Sequence, residues 1–205
     1  CGRKVTRVPH RFPGAVTGSC FMWSFTDPLM FWRISWSLER YLRNTLPQYI
    51  NPSRILEFGP GRSTRVLAET FPDARITSLE HQEAYYSKQK ASLQDLPQVT
   101  LHHCPLNADL FYSSGKWTEG SYDLLLVDGP PKNTKPRARA GASRIFDNIA
   151  ANGIIILDDS HRPDEKAIIN EWAADFDLSH VFTGGSFTVL RKGMITPVSK
   201  SLVYS

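Results

Sequence analysis

The sequence predicts an α/β domain built on a mostly parallel, seven-stranded sheet with helices on both faces and an antiparallel last strand. Three observations predict it. From Arg54 onward, short apolar segments alternate with segments of helical pattern, the signature of parallel strands joined by helical crossovers. Ile55–Phe58, Tyr122–Val127 and Gly153–Leu157 are almost continuously apolar, as strands buried on both faces must be. The chain then closes with two strand-like segments meeting at Gly184-Gly185, a hairpin signal that reverses the final strand.

The elements follow in order. Residues 1–26 form an N-terminal extension rich in Arg, Pro, Gly and aromatics, without a clear period. Residues 27–53 form a helix and linker. Asp27-Pro28 reads as an N-cap with proline in the first turn. Leu29, Trp32, Trp36, Leu38 or Glu39, and Leu42 fall roughly on one face of a helix running to about Leu46, and Pro47 and Asn51-Pro52 close it. The main domain spans 54–192. Its expected strands are 55–58, 75–79, 99–102, 122–127, 153–157, 178–182 and 186–190. Its expected helices are 63–71, 82–93, 138–150 and 163–176, with Ser113-Ser114-Gly115 as a loop signal. Residues 193–205 form a C-terminal tail.

Composition bounds the function. The chain has 205 residues, a size that suits one domain, and its 41% hydrophobic and 21% charged residues are those of an ordinary globular protein. A net charge of +4 suits anionic partners but does not by itself argue for nucleic acid. Part of the excess lies at Arg3, Lys4, Arg7 and Arg11, which read as a solvated terminal segment. Cys1, Cys20 and Cys104 are few and widely spaced. They imply no disulfide framework and favour a reducing, cytoplasmic setting. The apolar stretch Phe21–Trp36 is broken by Asp27, Pro28 and Arg33, so it is not a membrane span, and no signal-peptide pattern is visible.

Ligands of parallel sheets bind beyond the carboxyl ends of the strands, near the point where strand order reverses. In this chain those ends carry Glu57, Glu80, Asp128 and the pair Asp158-Asp159. Packing does not explain acids there, because carboxylates are seldom buried without a partner. The first of these ends leads into Glu57-Phe58-Gly59-Pro60-Gly61-Arg62-Ser63-Thr64. Gly59 and Gly61 allow a sharp turn and close approach of a ligand, and a helix N-terminus follows. A tight strand-to-helix turn would have the same look. However, Thr64 stands where a dinucleotide site has its third glycine. Glu57 would also repel pyrophosphate while welcoming an ammonium group.

Glu57-x-Gly59-x-Gly61 followed by Ser63-Thr64 resembles the first motif of class I S-adenosylmethionine (SAM) dependent methyltransferases, which have a Rossmann-like fold. Glu80, in Ser78-Leu79-Glu80-His81, resembles their ribose-binding acid. Tyr122–Pro131 resembles their fourth strand, Gly153–Asp159 their fifth, and the closing strand pair their antiparallel end. The resemblance covers about residues 54–191. It implies that Gly59 and Gly61 line the methionine moiety of SAM, that Glu57 lies near its amino end, and that Ser63 and Thr64 reach its carboxylate. It further implies that Glu80 holds the ribose, His81 flanks the adenine, and residues near Cys104 and Pro105 face the adenine edge, with Asp128 also at the cofactor.

The same resemblance brings Asp128, Asp158 and Asp159 together, because the fourth and fifth strands are neighbours in this family. Three carboxylates suit a hard ion such as Mg²⁺, as in catechol-type O-methyltransferases, where a metal orients and acidifies the substrate hydroxyl. The match is partial, since those enzymes carry Asp-Asn at the fifth strand. The other reading is that Asp128 contacts the cofactor while Asp158 or Asp159 caps a loop or helix. Asp128, His161 and Lys132 are the candidate catalytic groups, with His161 suited to act as a base near neutral pH. Lys132 stands one position later than the corresponding lysine of catechol-type enzymes.

Lys132, Lys135, Arg137, Arg139 and Arg144 form a basic stretch that could grip a carboxylate or phosphate on the substrate, or simply be a solvated charge run. His102-His103-Cys104 lacks the further ligands a structural zinc site needs. The aromatic residues Phe21, Trp23, Phe25, Phe31, Trp32 and Trp36 read as helix packing, a roof over the pocket or a homodimer face.

The leading expectation is therefore transfer of a methyl group from SAM to a hydroxyl of a small molecule, with Mg²⁺ as the implied assisting ion. An aminopropyl transferase, or a non-catalytic binding module on the same fold, are the alternatives. Nothing like an Asn/Asp-Pro-Pro-Tyr motif of amino-methylating nucleic-acid enzymes is present, since Gly129 and Lys132 interrupt the pattern.

Overall fold

Seven segments extend and pair in the computed structural model, which describes residues 34–193. They are β1 (Arg54–Phe58), β2 (Arg75–Glu80), β3 (Val99–His103), β4 (Tyr122–Val127), β5 (Ile149–Leu157), β6 (Leu178–Thr183) and β7 (Thr188–Lys192). Their order across the sheet is β3-β2-β1-β4-β5-β7-β6. The pairs β1–β2, β1–β4, β2–β3 and β4–β5 are parallel, and β7 is antiparallel to both β5 and β6. The chain thus builds outward from β1 to β3, returns to β4, and builds the other way. The reversal between β1 and β4 opens a crevice at their carboxyl ends, where ligands of such sheets sit.

Alternation along the central strands divides the core between the two faces. On one face, Leu56, Phe58, Leu125, Val127, Ile155 and Leu157 pack with Phe111, Trp117, Phe146 and Trp172. On the other, Ile55, Leu124, Leu126, Ile154 and Ile156 pack with Leu38, Leu42, Leu67 and Phe187. The helices supplying these layers are α1 (Trp36–Arg40), α2 (Arg62–Thr70) and α4 (Pro163–Asp175), while α3 (Glu83–Ser92) adds no residue to either. Pro163 in the first turn of α4, followed by Asp164 and Glu165, gives that helix the start its dipole favours.

Two expected helices are corrected. The first begins, among the described residues, at Ser35, whose hydroxyl accepts from the Leu38 amide at 3.1 Å. It continues past α1 as a wide-turned segment, Tyr41–Thr45, and a short 3₁₀ turn, Leu46–Gln48. Its buried residues are Leu38, Tyr41, Leu42 and Leu46, whereas Trp36 is 73% exposed. Two residues along a helix is about 200° of rotation, so Trp36 cannot share a face with Leu38. Asp27-Pro28, Leu29, Trp32 and the earlier aromatics lie outside the described residues. The second correction is the expected helix at 138–150, which is a 3₁₀ run over Ala138–Asn148. Gly141 lies so close to the Phe111 ring that a Cβ there would come within 2.4 Å of it, and β5 takes over at Ile149.

Candidate active site

A cavity of about 600 Å³ opens at the carboxyl ends of β1, β2, β4 and β5. One side is lined by Gly59, Pro60, Gly61, Glu80, His81 and Tyr112. The other is lined by Asp128, Lys132, Arg139, Asp158, Asp159 and His161. The topology explains the meeting. Phe58 and Val127 are register partners on neighbouring strands, so the loops that leave them must touch. Gly59, at φ +88°, lies so close to Gly129 that a Cβ on it would be 3.0 Å from the Gly129 nitrogen.

The β1 loop is fixed from beneath. Glu57 is fully buried, and its Oε2 accepts from Thr64 Oγ1 at 2.6 Å and Ser78 Oγ at 2.5 Å. Thr64 Oγ1 in turn accepts from the Gly61 amide at 3.0 Å. Burial pushes the Glu57 carboxyl above its ordinary range, against the lowering effect of the Ser63, Ser78 and Thr64 hydroxyls. Ser63 acts by proximity only: Glu57 Oε1 and Ser63 Oγ are both buried without a hydrogen-bond partner. This placement corrects the roles inferred from resemblance. Glu57, Ser63 and Thr64 do not line the cavity. They brace the glycine loop instead of presenting polar atoms to a ligand.

Glu80 and His81 do line it. Glu80 Oε1 accepts from the Gln82 amide at 2.7 Å, which leaves the second oxygen for a ligand hydroxyl. His81 Nδ1 lies 3.1 Å from Glu80 Oε1, without the alignment of a hydrogen bond. Cys104 and Pro105 are absent from the lining; the Cys104 thiol points at the Ser113 carbonyl, 3.1 Å away. Tyr112 holds the neighbouring position, against Phe58 and His81 with ring centroids 5.0 and 6.0 Å away. Its buried hydroxyl has no partner. Burial, then the negative charges of Glu80 and Asp128, push that phenol well above its ordinary range. Nothing in the local sequence around Tyr112 marked it, because a loop of uncertain path brings it to the cavity.

The acid cluster assembles, with an unexpected member. Asp128, Asp158 and Asp159 each bring a carboxylate oxygen within 4.8 Å of the others. Among them lies Arg139, only 4% exposed. Its Nε donates to the Pro130 carbonyl at 3.2 Å, Nη1 to the Asp158 carbonyl at 2.9 Å, and Nη2 to the Asp128 carbonyl at 2.7 Å. Nη2 also lies 3.2 Å from Asp128 Oδ1 and 3.1 Å from Asp159 Oδ2. Arg162 adds a second cation, 2.7 Å from Asp159 Oδ2. Burial pushes the Asp128 carboxyl well above its ordinary range; Arg139 opposes that rise, and Asp158 and Asp159 add to it. Burial likewise raises Asp158. A divalent ion would have to displace Arg139 from two carboxylates, so the donor set as arranged does not fit one.

The basic stretch divides. Lys132 and Arg139 line the cavity. Arg137 pairs with Glu171, Arg144 with Asp109 at 2.6 Å, and Lys135 donates to the Asp109 carbonyl. The stretch therefore does not act as one anion-binding surface. Near the first strands, His103 Nδ1 lies 2.8 Å from Glu83 Oε2. No helix among the described residues is long and apolar enough to cross a membrane.

Comparison with known proteins agrees with this architecture. An O-methyltransferase from Bacillus cereus, solved with S-adenosylhomocysteine (SAH), superposes with a TM-score of 0.61 at 15% identity, covering 78% of this chain and 82% of that one. Precorrin-6y C5,15-methyltransferase from Geobacter metallireducens GS-15 gives 0.54 at 15% identity, covering 76% and 86%. The N-methyltransferase NodS from Bradyrhizobium japonicum WM9 gives 0.53 at 12% identity, covering 82% and 99%. At such identities the likeness is one of fold. No curated protein matches the sequence. The model of a family described as a methyltransferase domain matches residues 56–160, a span running from β1 through the acid pair after β5. The chain belongs to this family of class I SAM-dependent methyltransferases.

Proposed function

We propose that the protein transfers a methyl group from SAM to a hydroxyl of a small molecule. The observation that carries this reading is the two-sided cavity: glycine loop, Glu80 and His81 on one side, and Asp128, His161 and Lys132 on the other. Gly59 and Gly61 let the methionine portion approach the backbone, Glu80 accepts from the ribose hydroxyls, and His81 flanks the adenine. The acceptor oxygen then lies towards Asp128 and His161. Its lone pair forms the new bond to the methyl carbon as the carbon–sulfur bond breaks, sulfur keeps that electron pair, and SAH departs. The hydroxyl proton passes to Asp128 or His161. Burial raises the Asp128 carboxyl above its ordinary range, which makes it a stronger base than a free carboxylate. Lys132 and Arg162 line the same half, which favours an acceptor carrying a carboxylate or phosphate.

Mg²⁺ assistance is the second reading. The convergence of Asp128, Asp158 and Asp159 favours it, and the ion pairs of Arg139 stand against it. The inward turn of Thr64 and the burial of Ser63 remove the carboxylate-binding argument against aminopropyl transfer; the family match weighs against it instead.

Calorimetric titration with SAH tests the proposal. Micromolar binding that is lost in Glu80→Ala supports the cofactor site. Absence of binding by the folded wild-type protein defeats it and points to a non-catalytic module.

A further inference from the structure

We infer that Arg139 is the resident cation of the acid cluster, taking the place a divalent ion would hold and making the site metal-independent. The inference rests on the methyltransferase reading only for its location in the cavity. The argument is one of coordination. A hard divalent cation at the ends of two parallel strands takes a shell of carboxylate and carbonyl oxygens. The Arg139 guanidinium already has such a shell: the carbonyls of Asp128, Pro130 and Asp158, with Asp128 Oδ1 and Asp159 Oδ2, all between 2.7 and 3.2 Å. These oxygens come from the segments leaving both β4 and β5, so one planar cation ties the two loops together.

Charge supports the same conclusion. Three carboxylates converge in the cluster, and Arg139 and Arg162 supply two positive charges. The remaining field is far weaker than that of a bare triad, and a divalent ion entering it would meet Arg139 at short range in a poorly solvated place, where like-charge repulsion is large. Arginine is also never neutral under ordinary conditions, so proton loss cannot vacate the position. The site resembles an occupied metal centre whose ion is covalently part of the chain. Arg139 is thus a positioning residue: it orients Asp128 and Asp159 towards the cavity without itself receiving the proton.

Manganese titration followed by electron paramagnetic resonance tests this, using chelator-treated full-length protein and the Arg139→Lys and Arg139→Gln variants. Wild type and Arg139→Lys, which keep the charge, should leave the Mn²⁺ signal that of the free ion. The neutral Arg139→Gln should bind about one equivalent. Stoichiometric Mn²⁺ binding by wild type overturns the inference, as does a folded Arg139→Gln that binds none. Should Arg139→Gln fail to fold, the wild-type arm decides alone. SAH titration of the same chelated wild-type sample separates the two readings: loss of SAH binding there defeats the cofactor assignment, whereas Mn²⁺ uptake defeats only the role of Arg139.

Discussion

Gly59→Ala probes the point where the two halves of the site meet. Gly59 has φ +88°, and a Cβ built there lies 3.0 Å from the Gly129 nitrogen and 3.1 Å from the Asp128 carbonyl carbon. Two costs combine. A side chain in left-handed backbone costs about 1–2 kcal/mol. Crowding a closed contact costs about 1–3 kcal/mol more, and here the neighbour is backbone, which cannot swing aside. The sum, roughly 2–5 kcal/mol, lowers Tm by about 4–20 °C in a domain of this size. Gly193→Ala is the matched control. Gly193 has φ +91° but nothing within 4 Å of a built Cβ, so only the strain, about 1–2 kcal/mol, applies. Urea unfolding of both variants gives the difference directly, and SAH titration adds a functional readout that should weaken for Gly59→Ala alone. Equal stability loss in the two variants, with unchanged SAH affinity in both, would refute the close approach of the β1 and β4 loops as the feature that shapes the cavity.

Other predictions follow from individual side chains. Tyr112→Phe removes a buried hydroxyl that has no partner. The free protein should keep or gain stability, while SAH affinity should fall by about 2- to 12-fold if the hydroxyl serves the cofactor; a less stable protein with unaltered affinity would oppose this. Glu57 has its pKa raised by burial, so between its unfolded and folded values the native state binds more protons and stability falls as pH rises. Unfolding free energies of Glu57→Gln and wild type, measured from pH 5 to 8, should diverge with increasing pH in favour of the variant, and parallel curves would contradict the assignment. Leu42→Ala, at a fully buried position, should cost about 2–5 kcal/mol. Trp36→Ala should change stability by roughly 0.5 kcal/mol, because Trp36 meets solvent and the Arg40 guanidinium 5.3 Å from its ring centroid. Reversal of that order would restore Trp36 to the core face.

The sheet was legible because its signal is dense. Ile154-Ile155-Ile156-Leu157 and Leu124-Leu125-Leu126-Val127 are buried on both sides, so every residue of each run had to be apolar and no register error could hide. Elements that touch the core on one side only carry less information. The first helix offered Leu38 or Glu39 as its next apolar step, and only packing against the sheet selects Leu38, which puts Trp36 on the opposite side. At 138–148, Ala138, Ala140 and Ala142 suit an α-helix in isolation, against the single weak point of Gly141. The segment is a 3₁₀ run instead, with Gly141 set close against Phe111, a residue thirty positions away that the local sequence does not reveal.

The site was readable where backbone position alone decides it. Glu80, Asp128, Asp158 and Asp159 end their strands, and strand ends meet in this topology whatever the side chains do. It was unreadable where side-chain direction decides. Lys132, Lys135, Arg137, Arg139 and Arg144 look alike as a stretch of charge, yet Arg139 alone among them is buried. What separates it is electrostatic demand from elsewhere: two strands deliver three carboxylates and several carbonyl oxygens to one small volume, and burying such a group of oxygens requires a cation of matching shape. The acid pattern at the strand ends therefore contained a prediction that a list of acids does not state. A cluster of that charge needs a counter-ion, and a neighbouring arginine can supply it as well as a metal can.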